Sequence, residues 1–203
     1  MNFLAHVYLA EDTPESIVGN MLGDFVDANF RQKYQPEIVR GIIMHQQIDM
    51  FTDSHPVFLR SMGRIDDKYR RLKGIMIDLF YDHFLAKHWQ QYSTEPLEAF
   101  CERVYGIFEQ HVSLLSPRLQ RILPYMINDN WLLSYRHPEG IGWALSGISR
   151  RISRKNHLAE SIEQLHQHYE GFEGDFREFF PEVVKFAEEL TNGGLNGTQI
   201  FTD

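Results

Sequence analysis

The sequence predicts an all-α protein built as a single compact multi-helix domain, on three observations. Apolar residues recur at helical spacing, as in the stripe from Ile17 to Val26. Several prolines stand where they suit the first turn of a helix, and no stretch alternates strictly between apolar and polar residues. The length of 203 residues suits one domain. We expect roughly eight to ten helices over residues 1–190, with a flexible tail over 191–203.

The first half of the chain contains four apolar segments. Residues 1–12 form a short segment, helical or extended, that carries His6. Thr13 suits an N-cap with Pro14 in the first turn of the next helix. Pro36 opens a third segment, which breaks at Asp53-Ser54-His55-Pro56, and a strongly apolar fourth segment runs from Gly74 to Gln91.

The second half is expected to continue as helices. One helix runs from Pro96 to about His111, and another from Ser116 to about Arg136, with Pro124 as a kink or boundary. Pro138 opens a glycine-rich apolar helix. A phenylalanine stripe near the end is typical of core packing; it consists of Phe172, Phe176, Phe179 and Phe180.

The composition is that of a soluble globular protein, with 43% hydrophobic and 24% charged residues. A net charge of −8 argues against a general nucleic-acid binder. The first ten residues lack the basic flank of a signal peptide and are too short to span a membrane, which indicates a cytoplasmic location. Cys101 is the only cysteine, so no intrachain disulfide can form, and we interpret it as a small buried hydrophobe rather than a nucleophile.

Two basic segments stand out against the acidic background. Residues 57–73 carry a local charge of +4, from six basic and two acidic side chains. The second segment has four positive charges and no acid; it contains Arg150, Arg151, Arg154 and Lys155. These segments are either solvated helix faces or docking sites for an acidic partner.

Two pairs of metal-ligand residue types stand four apart, His45 with Asp49 and Asp78 with Asp82. Residues four apart share one helix face, so the two faces together could form a box of imidazoles and carboxylates. Such clusters suit manganese, iron, zinc or magnesium, and mixed nitrogen and oxygen ligands favour manganese or iron over calcium. An ion of this kind can activate water for phosphoryl chemistry. Structural ion pairs are the competing interpretation for both pairs.

Further residues could complete the box, and each has a structural alternative. His6 alone is more often a core histidine, and Asp24 alone a solvated or capping residue. His83 follows Asp82 directly, so the two side chains diverge by roughly 100° on a helix. Asp53 could equally be a helix cap, as could Ser54.

The motifs, taken together, resemble those of the acyl carrier protein phosphodiesterase family, which is related to the HD-domain metal phosphohydrolases. The resemblance is densest over the first 90 residues. The segments that carry it are Asn2-Phe-Leu-Ala-His6, Gly19-Asn-Met-Leu-Gly23-Asp24-Phe25, Gly41 to Pro56, and Asp78-Leu-Phe-Tyr-Asp82-His83 to Trp89.

The resemblance implies an HD-domain-like fold, a divalent metal, typically Mn²⁺, and hydrolysis of a phosphodiester. The substrate implied is holo acyl carrier protein, and the products are apo carrier protein and 4′-phosphopantetheine. Candidate catalytic residues are Asp24, His83 and Asp53, with His55 as a further possible proton donor. The implied metal ligands are His6, Asp24, His45, Asp49, Asp78 and Asp82.

Under this interpretation the carrier protein docks on Arg150, Arg151, Arg154 and Lys155, with no nucleic acid or membrane as partner. Two alternatives remain at the level of sequence. One keeps the metal and takes nucleotides or other small phosphodiesters as substrates. The other is a non-catalytic helical binding module whose box is an ion-pair network.

Overall fold

Residues 1–193 are the part of the chain that the computed structural model describes, and every regular element in that part is a helix. The all-α prediction is confirmed. Residues 191 and 192 of the predicted tail belong to the last helix, and 194–203 lie outside the described residues. The twelve α-helices are α1 (Phe3–Leu9), α2 (Pro14–Leu22), α3 (Phe30–Lys33), α4 (Pro36–Ser54), α5 (Pro56–Arg64), α6 (Lys73–Lys87), α7 (Leu97–Gln110), α8 (Pro117–Asn128), α9 (Trp131–Ser134), α10 (Pro138–Arg151), α11 (Ile162–Gln167) and α12 (Tyr169–Asn192).

The helix count exceeds the expected eight to ten because short connecting helices are hard to see in a sequence. α3 and α9 have four residues each, too few for an apolar stripe to repeat. Pro124 also behaves differently from the boundary considered above, since α8 continues through it to Asn128. The chain turns at Asn130 instead, which adopts a positive φ of 45°. Asparagine tolerates this left-handed conformation better than most residues.

The backbones of α2 and α4 approach closely where the two helices cross, and this crossing fixes the position of the site. Thr13 caps α2 as predicted, because its side chain accepts a hydrogen bond from the amide of Ser16 at 3.2 Å. Gly19 of α2 meets Gly41 of α4, and a Cβ built on Gly19 would lie 2.8 Å from the Cα of Gly41. Both positions therefore require glycine at this crossing.

α12 closes the core with its aromatic residues. The four phenylalanines of the predicted stripe are fully buried, and they pack against aromatic residues of α1, α4, α5 and α6. Tyr81 at the centre contacts Phe176 and Phe179 at centroid distances of 5.7 and 5.4 Å. The prediction that this stripe forms packing surface is confirmed.

A buried carboxylate ties α12 to α5. Asp175 is 2% exposed and accepts hydrogen bonds at 2.8 Å from Arg60, from Arg64 and from the hydroxyl of Ser61. The two arginines pair with the carboxylate of Asp175, and these ion pairs offset the free-energy cost of burying its charge. Two of the six cations in the basic segment 57–73 are thus internal ion-pair partners rather than free surface charges.

Candidate functional site

Separate parts of the fold bring the predicted histidines and carboxylates together. α4 places His45 and Asp49 on one face, as their spacing of four residues predicts. His6 comes from the middle of α1 and is 2% exposed. Asp24 lies in the short 3-10 turn that follows α2.

Asp49 is the centre of the cluster. Its Oδ1 lies 3.1 Å from the Nε2 of His6, and its Oδ2 lies 3.1 Å from the Nε2 of His45. The Oδ1 of Asp24 lies 3.4 Å from the same Nε2 of His45. One ligand atom from each of His6, His45 and Asp49 lies within 4.8 Å of the other two. These three residues form a triad that could hold a metal ion.

The ring of His45 is confined on two sides. It stacks on the ring of His6 with centroids 3.7 Å apart. A Cβ on Gly23 would lie 2.2 Å from two ring carbons of His45, so only glycine leaves room for the ring in this position. The glycine of the Gly23-Asp24 motif therefore positions a candidate ligand residue, His45.

The two imidazoles differ in proton affinity, because the pKa of His6 is lowered and that of His45 is raised. Burial, together with the neighbouring charge of His45, lowers the pKa of His6 to about 4. Burial also acts to lower the pKa of His45, but contacts with Asp24 and Asp49 outweigh it and raise that pKa to about 9. The pKa of Asp49 is lowered, because its contacts with both histidines outweigh its burial. A proton on His45 thus balances the carboxylates, at a position where a divalent cation could replace it.

The hydrogen-bond pattern of the triad fits a metal site. The Nδ1 of His6 and both ring nitrogens of His45 are buried without a hydrogen-bond partner, although the Nε2 of His45 lies close to two carboxylates. Buried polar atoms are normally satisfied, so such orphaned nitrogens call for an explanation. Imidazole nitrogens beside carboxylate oxygens are ligands for manganese, iron or zinc.

The second predicted pair, Asp78 and Asp82, holds the start of the chain against the cluster. The Oδ1 of Asp78 lies 2.9 Å from the α-ammonium group of Met1, which is also 3.4 Å from the Oδ1 of Asp49. Asp82 accepts hydrogen bonds from the backbone amides of Leu4 and Ala5, at 2.9 and 3.1 Å. Asp82 therefore caps α1 through both of its oxygens and thereby positions His6.

Burial dominates the electrostatics of this pair. It raises the pKa of Asp82 to about 7, against the lowering effect of the two amide hydrogen bonds. Burial likewise raises the pKa of Asp78, against the attraction of the Met1 ammonium group. The same ion pair, with further attraction from Asp49, outweighs burial for the Met1 amine and raises its pKa to about 11.

The structure does not bring His83 into the cluster. Its Nδ1–H donates to the carbonyl oxygen of Tyr135, and its Nε2 accepts from the hydroxyl of Tyr169, both at 2.8 Å. Burial lowers the pKa of His83 to about 4, so this imidazole is neutral. Both ring nitrogens are used by the fold.

The helix cap at the break after α4 is His55, rather than Asp53 or Ser54. Its Nδ1 accepts a hydrogen bond from the amide of Val57, and its Nε2 lies 3.2 Å from the Oε2 of Glu182. The Asp53 side chain is free of this capping role and lines a cavity beside the cluster.

That cavity has a volume of about 860 Å³, within the usual range of ligand sites. Four carboxylates lie at its cluster end, and α10 and the loop after α8 form further walls. Trp143 of α10 is 69% exposed in this wall, which is unusual for so large an apolar side chain. The carboxylates are Asp24, Asp49, Asp53 and Asp78.

Arginines also line the cavity. Arg150 and Arg151 of the predicted docking segment are among them, whereas Arg154 and Lys155 are exposed beyond its lining. The structure adds Arg118 at the start of α8, whose guanidinium lies 5.5 Å from the ring centroid of Phe25. Sequence analysis missed Arg118 because it stands 32 residues before Arg150, outside both basic segments.

Cys101 is buried in α7, and burial raises the pKa of its thiol to about 12. A thiol this difficult to ionise is a poor nucleophile. The interpretation of Cys101 as a small buried hydrophobe is confirmed.

Comparisons with known proteins converge on one family. The family model of acyl carrier protein phosphodiesterase matches residues 1–183. The acyl carrier protein phosphodiesterase of Photorhabdus laumondii is 34% identical over 189 residues, which cover 93% of this chain and 96% of the relative. The proteins of the same name from Serratia proteamaculans and Yersinia pestis are each 35% identical, with coverage of 93% of this chain and 98% of theirs.

No solved structure matches this chain, so the likeness to HD domains stays a prediction. Within residues 1–193, each helix is too short or too polar to span a bilayer. The match over nearly the whole chain, at an identity above 30%, shows that this protein belongs to the acyl carrier protein phosphodiesterase family.

Proposed function

We propose that this protein hydrolyses the phosphodiester that joins 4′-phosphopantetheine to a serine of holo acyl carrier protein. The products are apo carrier protein and free 4′-phosphopantetheine, and the cofactor is a divalent metal ion, Mn²⁺. One observation carries the proposal: the carboxylate end of the histidine–aspartate cluster opens into a large cavity that is also lined by arginines. The names of the relatives support this choice of substrate.

The residues that would hold the metal are His6, His45 and Asp49, with Asp24 beside them. When bound there, a divalent ion lowers the pKa of a coordinated water and polarises a phosphoryl oxygen. Mixed imidazole and carboxylate ligands favour Mn²⁺ over calcium. The low proton affinity of His6 keeps its imidazole free to bind at neutral pH.

The exposed carboxylates of Asp24 and Asp53 remain for the reaction itself. The Asp24 side chain is 58% exposed beside His45, where it can orient the attacking water. Asp53 lines the same cavity and is assigned to proton transfer to the departing serine oxygen. His83 is not retained in this role, because both of its nitrogens are hydrogen-bonded within the fold.

Arginines next to the cavity can attract the carrier protein. With a net charge of −8, this protein repels an acidic partner at long range. Arg150 and Arg151 line the cavity, and Arg154 and Lys155 extend the positive surface along the chain. Docking on this surface would place the phosphodiester near the carboxylate cluster.

The test is mass spectrometry of holo acyl carrier protein incubated with the purified protein, with and without Mn²⁺. We expect loss of the phosphopantetheine group only with the metal. Asp49→Asn should abolish this loss, whereas Asp67→Asn, whose side chain is 98% exposed, should not.

Two results would contradict the proposal. The first is an intact holo carrier protein under every divalent metal, together with hydrolysis of a small chromogenic diester, which would favour a small phosphodiester as substrate. The second is full activity of Asp49→Asn, which would remove the triad from the reaction.

A further inference from the structure

The cavity beside the cluster is a groove with two chemically different parts. At one end stand the carboxylates of Asp24, Asp49, Asp53 and Asp78. The other lining residues are mainly apolar, and α10 contributes several of them, but they also include Arg118, Asp129, Arg150 and Arg151. The groove therefore offers a carboxylate end for a phosphate–metal unit and a mainly apolar remainder, with three arginines and one aspartate in its lining, for whatever is attached to the phosphate.

The wall contributed by α10 is shaped by small residues. Gly140, Ala144 and Gly147 recur on one helix face at a spacing of three to four residues, and Ile148 adjoins them. Gly147 is not required by packing, because a Cβ there would meet nothing closer than two arginine nitrogens at 3.9 Å. The absent side chain of Gly147 leaves room in the groove.

The remaining walls are aromatic and aliphatic, with a few polar groups. Phe3 and Phe25 stack on each other with centroids 6.2 Å apart, and Trp131 lies further along. Asn2 and Ser134 are the neutral polar side chains of this lining. The apolar part of this surface suits an extended uncharged chain that carries amide groups.

The chemistry of the proposed substrate decides which part of it can enter. A phosphodiester on a carrier protein has a folded protein attached through one ester oxygen and a flexible chain through the other. The folded body must stay at the surface, whereas a chain that is one or two atoms wide can follow a groove. Arg118 and Arg150 are exposed and line the cavity, so they are available to contact the protein body.

We propose that the groove between α10 and the Phe3–Phe25 pair receives the pantetheine arm, while the phosphate stays at the carboxylate end. This inference rests on the proposed function and adds a subsite for the leaving chain. Trp143, exposed in the groove wall, covers the arm along part of its length. Recognition of the arm would allow the protein to distinguish a phosphopantetheine diester from other phosphodiesters.

The test uses variants that fill the groove without disturbing the fold. Gly147→Leu projects a side chain into the groove, and Gly106→Leu on α7 is the matched control, because a Cβ there meets nothing within 4 Å. Binding of pantetheine, which has no phosphate, is followed by the fluorescence of the tryptophans in the groove wall. Thermal unfolding of each variant shows that it is folded.

We expect pantetheine to bind at least tenfold more weakly to Gly147→Leu than to the wild type and the Gly106→Leu control. The KM for holo acyl carrier protein should rise by a similar factor, with a smaller effect on kcat. Trp143→Ala, a change at an exposed position, should weaken pantetheine binding in the same direction.

The measurements distinguish failure of the proposed pantetheine subsite from failure of the proposed hydrolytic function. Equal pantetheine affinity in the wild type, Gly147→Leu and Gly106→Leu would overturn the subsite, even if the wild type releases phosphopantetheine from the carrier protein. Loss of affinity of Gly147→Leu for apo carrier protein, with pantetheine binding unchanged, would assign the groove to a protein segment and would also overturn it. A wild type that binds pantetheine but never cleaves holo carrier protein would overturn the proposed function instead.

Discussion

The imidazole rings of His6 and His45 stack face to face with centroids 3.7 Å apart, although the residues are 39 positions apart in sequence. Two protonated imidazoles at this distance would repel each other strongly in a buried site. The carboxylate of Asp49 reaches both rings and so holds the pair together. This arrangement places several potential ligand atoms close together. It favours the binding of a cation, and it lowers the stability of the fold when no cation is bound.

Metal binding should therefore stabilise the protein. We expect Mn²⁺ at a hundredfold excess over its Kd to raise the free energy of unfolding by about 2.7 kcal/mol. A chelator should reverse the gain, and Asp49→Asn should remove it because the triad loses a negative oxygen. Differential scanning calorimetry with and without metal measures the effect, with Asp67→Asn as the control. Equal metal-induced stabilisation of Asp49→Asn would show that the ion binds elsewhere.

Gly23→Ala should disrupt the site while changing only one methyl group. The added Cβ would lie 2.2 Å from ring carbons of His45, so the ring must leave its place on His6. We expect metal affinity to fall by at least tenfold, as judged by isothermal titration calorimetry. Gly63→Ala is the control, because a Cβ there has nothing within 4 Å. Unchanged affinity in Gly23→Ala would mean that His45 can move without loss of binding.

Local spacing was sufficient to predict one half of the site. His45 and Asp49 share a face of α4, as residues four apart in a long helix must. The second pair has the same spacing, but its carboxylates hold the Met1 ammonium group and the amides of α1. Nothing in the sequence around Asp82 indicates this, because the partners lie 77 and 78 residues away.

Tertiary packing also determines which charges are available for binding. The basic segment 57–73 carries a local charge of +4, but its Arg60 and Arg64 pair with Asp175 of α12. Arg118, which belongs to neither basic segment, lines the cavity with Arg150. Helix periodicity identifies faces, whereas the contacts between faces depend on the whole fold.

Asp175 should be a major contributor to stability. It is 2% exposed and is hydrogen-bonded to Arg60, Arg64 and Ser61. Its replacement by alanine removes the carboxylate that pairs with Arg64 and leaves Arg60 paired with Glu178. We expect Asp175→Ala to lower the free energy of unfolding by about 3 kcal/mol, the lower end for a broken buried pair, because the arginines are partly solvated. Urea denaturation measures this value.

The matched control for Asp175 is Glu178→Gln on the same helix. Glu178 also pairs with Arg60, but its side chain is 53% exposed. Glu178→Gln should therefore lower the free energy of unfolding by less than about 1 kcal/mol. If Asp175→Ala and Glu178→Gln lower the free energy of unfolding by similar amounts, the importance of burial at Asp175 is contradicted.

His83 should contribute to loss of stability in acid. Its pKa is lowered by burial to about 4 in the folded protein, against about 6.5 in an unfolded chain. Between these values the unfolded state binds more protons, so folding loses stability as the pH falls from 6.5 to 4. The loss from this residue alone should reach about 3 kcal/mol at the acid end.

His83→Gln can keep both hydrogen-bond roles without titrating, and so isolates this effect. Urea unfolding at a series of pH values should show the stability advantage of the wild type over His83→Gln shrinking below pH 6.5. A constant difference between pH 7 and pH 4.5 would contradict the assignment of a neutral buried imidazole.

Arg150→Glu should reveal whether the arginines near the cavity attract the carrier protein. Arg150 is exposed and lines the cavity, so reversing its charge should weaken the attraction of an acidic partner as it approaches. We expect kcat/KM for holo acyl carrier protein to fall by about tenfold at low ionic strength, a change of about 1.4 kcal/mol. Because salt screens this attraction, the difference from the wild type should narrow at high ionic strength. Lys185→Glu makes the same change in charge on α12, where the side chain is 78% exposed, and should leave kcat/KM nearly unchanged. If both variants lose activity equally, net charge rather than a docking surface near the cavity governs the association.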